Sequence, residues 1–168
     1  MHPARSFALG AHGNQMYGNE PYIYHLDNTV NELTGIMNQP AFRFYDKALL
    51  RSAAYLHDIL EDTEITNETL TRSFGPLVTE IVHAVSDGPG KNRDERKSFM
   101  YVKVQQCGPA AVAIKLADRM ANVRNCVEHN DKGLLEMYRK EHLEFKGMLE
   151  NIIDVDPIWV KLGRMVGV

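Results

Sequence analysis

Residues 46–62 read DKALLRSAAYLHDILED, and this stretch decides what kind of molecule the chain builds. It is apolar almost all the way round at helical spacing, the pattern of a helix buried in the middle of a bundle. Its C-terminal end nevertheless carries His57, Asp58, Glu61 and Asp62. In one continuous helix, positions four apart lie on one face, which sets His57 over Glu61 and Asp58 over Asp62. Three acids within five residues on such a helix are costly unless a cation or a basic partner compensates them. The helix end is therefore suited to hold a cation beside an acid–base pair. The plainer alternative is a helix end turning into solvent at Asp62-Thr63, and a His-Asp dipeptide alone does not choose between the two.

Outward from this helix, the spacing predicts more helices. Residues 4–15 put Ala4, Phe7, Ala8 and Ala11 on one face, and 21–37 open with Pro21, a residue suited to a first helical turn. A Thr66-x-x-Thr69 cap opens 66–74, and a new helix starts after Gly75-Pro76. Residues 92–106 are amphipathic and basic, 109–125 begin at Pro109, 132–153 are long and periodic, and 157–166 close the chain. No alternating strand pattern of useful length occurs, and SDGPGKN at 86–92 is the one strong loop signal. The expected fold class is all-α, a single bundle of about eight to ten helices over residues 1–168.

Composition narrows the function classes. A net charge of −3 gives no sign of a nucleic-acid-binding face. No run approaches the roughly 18 apolar residues of a membrane span. The opening MHPARSFALG lacks a charged segment followed by a long apolar one, so no signal peptide is expected. Cys107 and Cys126 fit neither a disulfide framework nor a zinc-ribbon spacing and are expected as reduced thiols. The expected location is the cytoplasm.

Two further segments carry candidate chemistry. In AIKLADRMANVRN, 113–125, Lys115, Asp118, Arg119 and Asn122 form one polar stripe on a helix whose alanines 111, 113, 117 and 121 permit close packing. Either this is a solvated face, or Asp118 is a metal ligand and Asn122 a substrate-facing amide. His25, between tyrosines in PYIYHLDNTV, is either a ligand or a core histidine with satisfied nitrogens.

Taken together, PYIYH at 21–25, LHDILEDT at 56–63 and KLADRMANVR at 115–124 resemble the HD-domain hydrolases of the RelA/SpoT type and their stand-alone small alarmone hydrolases. The resemblance runs from about Phe7 to about Leu149 and includes SFGPLVTEIVHAVSD at 73–87 and the basic DERKSFM at 94–100. It implies that His25, His57, Asp58 and Asp118 are metal ligands, around one Mn²⁺ as is usual in that family. A mixed imidazole and carboxylate set suits a divalent first-row ion without choosing among them. Glu61 and Asp62 match the family's catalytic pair, which generates and orients the attacking water, and Asn122 matches a nucleotide-contacting asparagine. Lys115 serves the substrate or supports the ligands, and Arg96, Lys97 and Arg139 are the favoured phosphate contacts.

The implied reaction is hydrolysis of the 3′-pyrophosphate of (p)ppGpp or (p)ppApp, releasing pyrophosphate. One departure bears on the base. Family members acting on guanosine tetraphosphate usually carry an Arg-Lys pair after the glutamine of the first helix. Here AHGNQMYGNEPY, 11–22, has Tyr17 and Gly18 near those positions. Tyr17 offers a ring for stacking, which discriminates weakly among bases, so adenine stands beside guanine. Two alternatives are a generic HD phosphohydrolase sharing the metal site and a non-catalytic alarmone-binding module. The expected partner is a small nucleotide, with no nucleic acid and no membrane. The tail at 157–168 is expected to cap the bundle, with a subunit contact as the other option.

Overall fold

A computed structural model describes residues 2–168. The elements start where capping residues and prolines put them. Helices α1 (Pro3–His12), α6 (Pro76–Val85) and α8 (Pro109–Glu128) open on proline, whose missing N–H costs nothing in a first turn. Side-chain oxygens cap α3 (Lys47–Leu56) through Asp46, α5 (Asn67–Phe74) through Thr66, α7 (Arg93–Cys107) through Asn92 and α9 (Lys132–Leu149) through Asp131. Gly75 and Gly108, at φ 83° and 87°, make the sharp corners between α5 and α6 and between α7 and α8, a backbone region open to glycine. The remaining α-helices are α2 (Ile23–Met37), α4 (Ile59–Asp62) and α10 (Asp156–Val166), with short 3-10 helices at Pro40–Phe42 and Glu150–Ile152, so the chain is all-α as expected.

Two local expectations are corrected. Pro21 does not begin a helix. It lies in β2 (Glu20–Pro21), paired antiparallel with β1 (Met16–Tyr17), with Met16 opposite Pro21 and Tyr17 opposite Glu20. Gly18 at φ 61° allows the tight turn, and the Tyr22 N–H donating to the Gln15 carbonyl closes the hairpin ahead of α2. The second correction concerns residues 46–62, which do not form one helix. Helix α3 stops at Leu56, His57 and Asp58 form a turn, and α4 restarts at Ile59. The N–H groups of Glu61 and Asp62 both reach back to the Asp58 carbonyl at 3.0 Å. The turn takes His57 and Asp58 out of the helix wall and aims them at a common point.

Helix α8 lies at the centre, packed against α2, α3, α6, α7, α9 and α10. Its Ala111, Ala113 and Ala117 are fully buried, and small side chains there let neighbouring backbones come close. Leu50, Ala53, Ala54 and Leu56 bury the inner face of α3. Helix α10 caps the bundle, as expected, with Trp159 edge-on to Phe145 of α9 at 5.7 Å between ring centroids. Among the described residues, both cysteines are free, and no helix is long and apolar enough to cross a membrane.

Candidate active site

The first turn of α2 contributes His25, the α3–α4 turn His57 and Asp58, and the middle of α8 Asp118. The two imidazole Nε2 atoms lie 3.2 Å apart. Asp58 Oδ2 sits 2.9 Å from that of His57 and 3.4 Å from that of His25, and Asp118 Oδ1 approaches them at 3.6 and 3.5 Å. One ligand atom each from His25, His57 and Asp58 fits within 4.8 Å of the others. His57 Nδ1 faces the Ala54 carbonyl at 2.8 Å and so carries a hydrogen there, which leaves Nε2 as the atom that takes either a second proton or a metal. Lone pairs and carboxylate oxygens converging in this way are stable only around shared protons or a cation. Two nitrogens at right angles about 2.1 Å from one ion stand about 3 Å apart, close to what is seen. The donor set fits a divalent first-row metal.

Electrostatics say the same. Burial works against a charged His57, yet the Asp58 and Asp118 carboxylates hold it well above its ordinary value. Burial likewise opposes charge on Asp58, but His57 and His25 hold its carboxyl well below the usual range. Asp118 is buried too, and Lys115 and His57 keep it ionised far below that range. The pocket is built for positive charge between two carboxylates.

A second ring fixes the first. Tyr22 donates its hydroxyl to Asp58 Oδ2 at 2.5 Å, and burial together with Asp58 keeps it a neutral phenol. Lys115 Nζ donates to Asp118 Oδ2 at 3.1 Å and Asn122 Nδ2 to Asp118 Oδ1 at 2.5 Å. Tyr17 donates to Asn122 Oδ1 at 2.6 Å while its ring stacks on His25, centroids 4.7 Å apart. Tyr17 and Asn122 thus belong to the wall of the ligand cluster.

The acidic pair separates. Glu61 lines a cavity together with Asp58 and Asp118, and its Oε1 accepts the Asp87 N–H at 2.9 Å. Burial pushes the Glu61 carboxyl up, against the pull of that hydrogen bond. Asp62 instead accepts from Gln15 Nε2 at 2.9 Å and is not in the cavity wall. The cavity measures 190 Å³, below the roughly 300–1,000 Å³ that engulfs a drug-sized ligand. That suits a phosphoryl group better than a whole nucleotide.

Four cations stand in its wall: Arg93, Lys97, Lys115 and Arg119. Of the three favoured phosphate contacts only Lys97 is among them; Lys115, expected to serve the substrate or support the ligands, is there too. Arg96 is turned to Asp87 Oδ2 at 3.2 Å, and Arg139 donates to the Val166 carbonyl of α10 at 2.7 Å, away from the cavity. Tyr138, one residue earlier on α9, faces the cavity in place of Arg139. Arg93 lies one turn before Lys97, and Arg119 belongs to the stripe of Lys115 and Asp118. Both could have been found by following helical faces instead of local charge density.

Comparison with known proteins gives the chain its relatives. A guanosine-3′,5′-bis(diphosphate) 3′-pyrophosphohydrolase, MESH1, of Drosophila melanogaster is 29% identical over 133 residues, covering 79% of this chain and 71% of the fly protein. The Homo sapiens protein of the same name is 32% identical over 93 residues, covering 55% of this chain and 52% of its own length. This chain thus spans about half of that human relative. The solved structure of a metazoan ortholog of SpoT, which hydrolyses ppGpp, superposes with a TM-score of 0.72 over 98% of this chain and 93% of that one, at 24% identity, a likeness of fold. A family model of the HD domain matches residues 4–143. That span takes in His25, the His57–Asp58 turn and Asp118, and the chain belongs to the HD-domain family.

Proposed function

We propose that this chain is a metal-dependent 3′-pyrophosphohydrolase of hyperphosphorylated purine nucleotides, (p)ppGpp or (p)ppApp, working in the cytoplasm. The convergence of His25, His57, Asp58 and Asp118 beside a cavity whose wall sets Arg93, Lys97, Lys115 and Arg119 alongside its acids carries the proposal. The names of the fly and human relatives support the substrate class, and the two free thiols fit a reducing compartment.

In this mechanism His25, His57, Asp58 and Asp118 would hold one divalent ion, Mn²⁺ by the family resemblance, which when bound would supply Lewis acidity for the hydrolysis. Glu61, its carboxyl raised by burial, takes the proton of the attacking water. Asp62 keeps the α4 end tied to Gln15. The water oxygen bonds to the phosphorus carried on the 3′ oxygen. The P–O3′ bond breaks, pyrophosphate leaves, and the 3′ oxygen takes up a proton. Lys97, Arg93 and Arg119 face the phosphoryl oxygens, a task suited to guanidinium forks and ammonium groups. Lys115 holds Asp118, and Asn122, fixed between Tyr17 and Asp118 in the cavity wall, has one amide hydrogen left for the nucleotide. Both purines stay open, because a tyrosine already stacked on His25 has at most one face for a base and stacking selects bases weakly.

A panel of ppGpp, pppGpp, ppApp, pppApp and NADPH, incubated with Mn²⁺ and resolved by ion exchange, tests the proposal. Pyrophosphate from at least one alarmone is expected; orthophosphate alone from every substrate contradicts it. A generic HD phosphohydrolase on another nucleotide would share the metal site without needing Glu61. Glu61→Gln is expected to lower turnover about 10²-fold or more; near-full turnover in that variant favours the generic enzyme. Tight alarmone binding without product in excess Mn²⁺ would instead indicate a binding module.

A further inference from the structure

Behind the cavity lies a carboxylate that the proposed mechanism does not use. Glu141, on α9, is absent from the cavity wall, and its side chain is only 11% exposed. Three of the four wall cations meet on it. Arg93 donates to both its oxygens, at 2.9 and 3.4 Å; Lys97 Nζ reaches Oε1 at 3.3 Å and Arg119 Nη1 reaches Oε2 at 3.0 Å. Arg119 is further clamped between the rings of Tyr138 and Phe145, 4.6 Å from each centroid. Lys97 also contacts Glu144 and the exposed Asp94, so its charge is partly shared. Arg93 and Arg119 make no other ion pair among the described residues, and Asp87 acts on Arg93 only at longer range.

Three like charges do not gather at one wall unaided. In water they would splay apart, and long side chains would keep their rotamer freedom. One buried carboxylate fixes their spacing before any ligand arrives, while neutralising only one of the three charges. Preorganised cations of this kind bind a polyanion without the cost of assembling them. Two arginines and a lysine around a single point match adjacent phosphates better than one isolated phosphate.

We propose that Glu141 is a positioning residue that sets a three-cation clamp, Arg93, Lys97 and Arg119, for two linked phosphates. This rests on the reading of the cavity as the phosphate site. It assigns the clamp to the diphosphate arm of the substrate and to the pyrophosphate product.

Calorimetric titration of the full chain with inorganic pyrophosphate and with orthophosphate, at fixed ionic strength, without added metal and then with excess Mn²⁺, tests it. Wild type is expected to favour pyrophosphate by about tenfold or more, and Glu141→Gln to lose most of that preference. Glu141→Asp keeps the charge but shortens the reach, so it is expected to lose preference as well. Where Glu141→Gln does not fold, Glu141→Asp and Arg93→Gln carry the test, Arg93 being half exposed. Arg93→Gln and Glu141→Asp combined are expected to cost less than the product of their separate effects. A wild-type chain without the preference, an unchanged preference in the variants, tighter pyrophosphate binding in Glu141→Gln, or fully multiplicative effects would each overturn the proposal. Because the readout is binding, it stands or falls separately from alarmone hydrolysis.

Discussion

His57 and His142 are both buried histidines, and their neighbours drive them in opposite directions. Burial pushes His142 down, and the nearby Lys146 and Arg119 add to it. Burial also acts against charge on His57, but two carboxylates overrule it. Residue type was legible in the sequence; surroundings of this kind were not, because they come from segments far apart along the chain. The same holds for the basic residues, where Arg96 stands beside Lys97 in sequence yet turns to Asp87. Glu141 offers a pH prediction at this scale. Burial opposes its charge, but Arg93, Arg119 and Lys97 hold its carboxyl at about 2, against an ordinary value of 4.5. Between those values the unfolded chain binds more protons, so the stability Glu141 contributes is complete above about pH 4.5 and disappears as pH falls toward 2. Urea melts of wild type and Glu141→Gln should differ most near pH 6 and converge toward pH 2. A gap that does not change with pH would contradict this.

At the scale of elements, caps, prolines and glycines announced most helix ends. The break at His57–Asp58 was not legible. His57 keeps helical backbone angles, φ −59° and ψ −33°, and the apolar pattern runs straight through it. The departure comes at Asp58, φ −98° and ψ −1°, and no proline, glycine or side-chain cap marks it. The loop at 86–92 was legible as a loop but not in its task, which is to bring the Asp87 N–H to Glu61. Lys103 Nζ ties the start of that loop to the end of α6, donating to the Ser86 carbonyl at 2.6 Å and to that of His83 at 2.9 Å. A Cβ on Gly88 would overlap Phe99 of α7. Gly88→Ala is therefore expected to cost about 1–3 kcal/mol of stability and to reduce turnover by shifting the Asp87 N–H away from Glu61. Chemical melts and steady-state kinetics read the two effects; wild-type turnover in a properly folded variant would show that the loop does not set Glu61.

For the whole molecule, the buried core runs from Ala4 in α1 to Val166 in α10. That continuity supports the proposal that the described residues unfold as one cooperative unit. The chain has a single tryptophan, Trp159 in α10, buried against Phe145. Its fluorescence and far-UV circular dichroism should therefore report one coincident transition, whereas an earlier fluorescence change would mean that α10 melts alone. Trp159→Ala is expected to cost about 3–5 kcal/mol. The meeting of residues 25, 57, 58 and 118 is a property of this scale. Spacing along the chain left each as either a ligand or an ordinary polar residue, and only the resemblance to a known family joined them in advance. The most direct test of that meeting is anomalous diffraction from crystals grown with Mn²⁺. One strong peak is predicted within bonding reach of His25 Nε2, His57 Nε2 and the carboxylates of Asp58 and Asp118. No peak there, or manganese bound only elsewhere, would contradict the account.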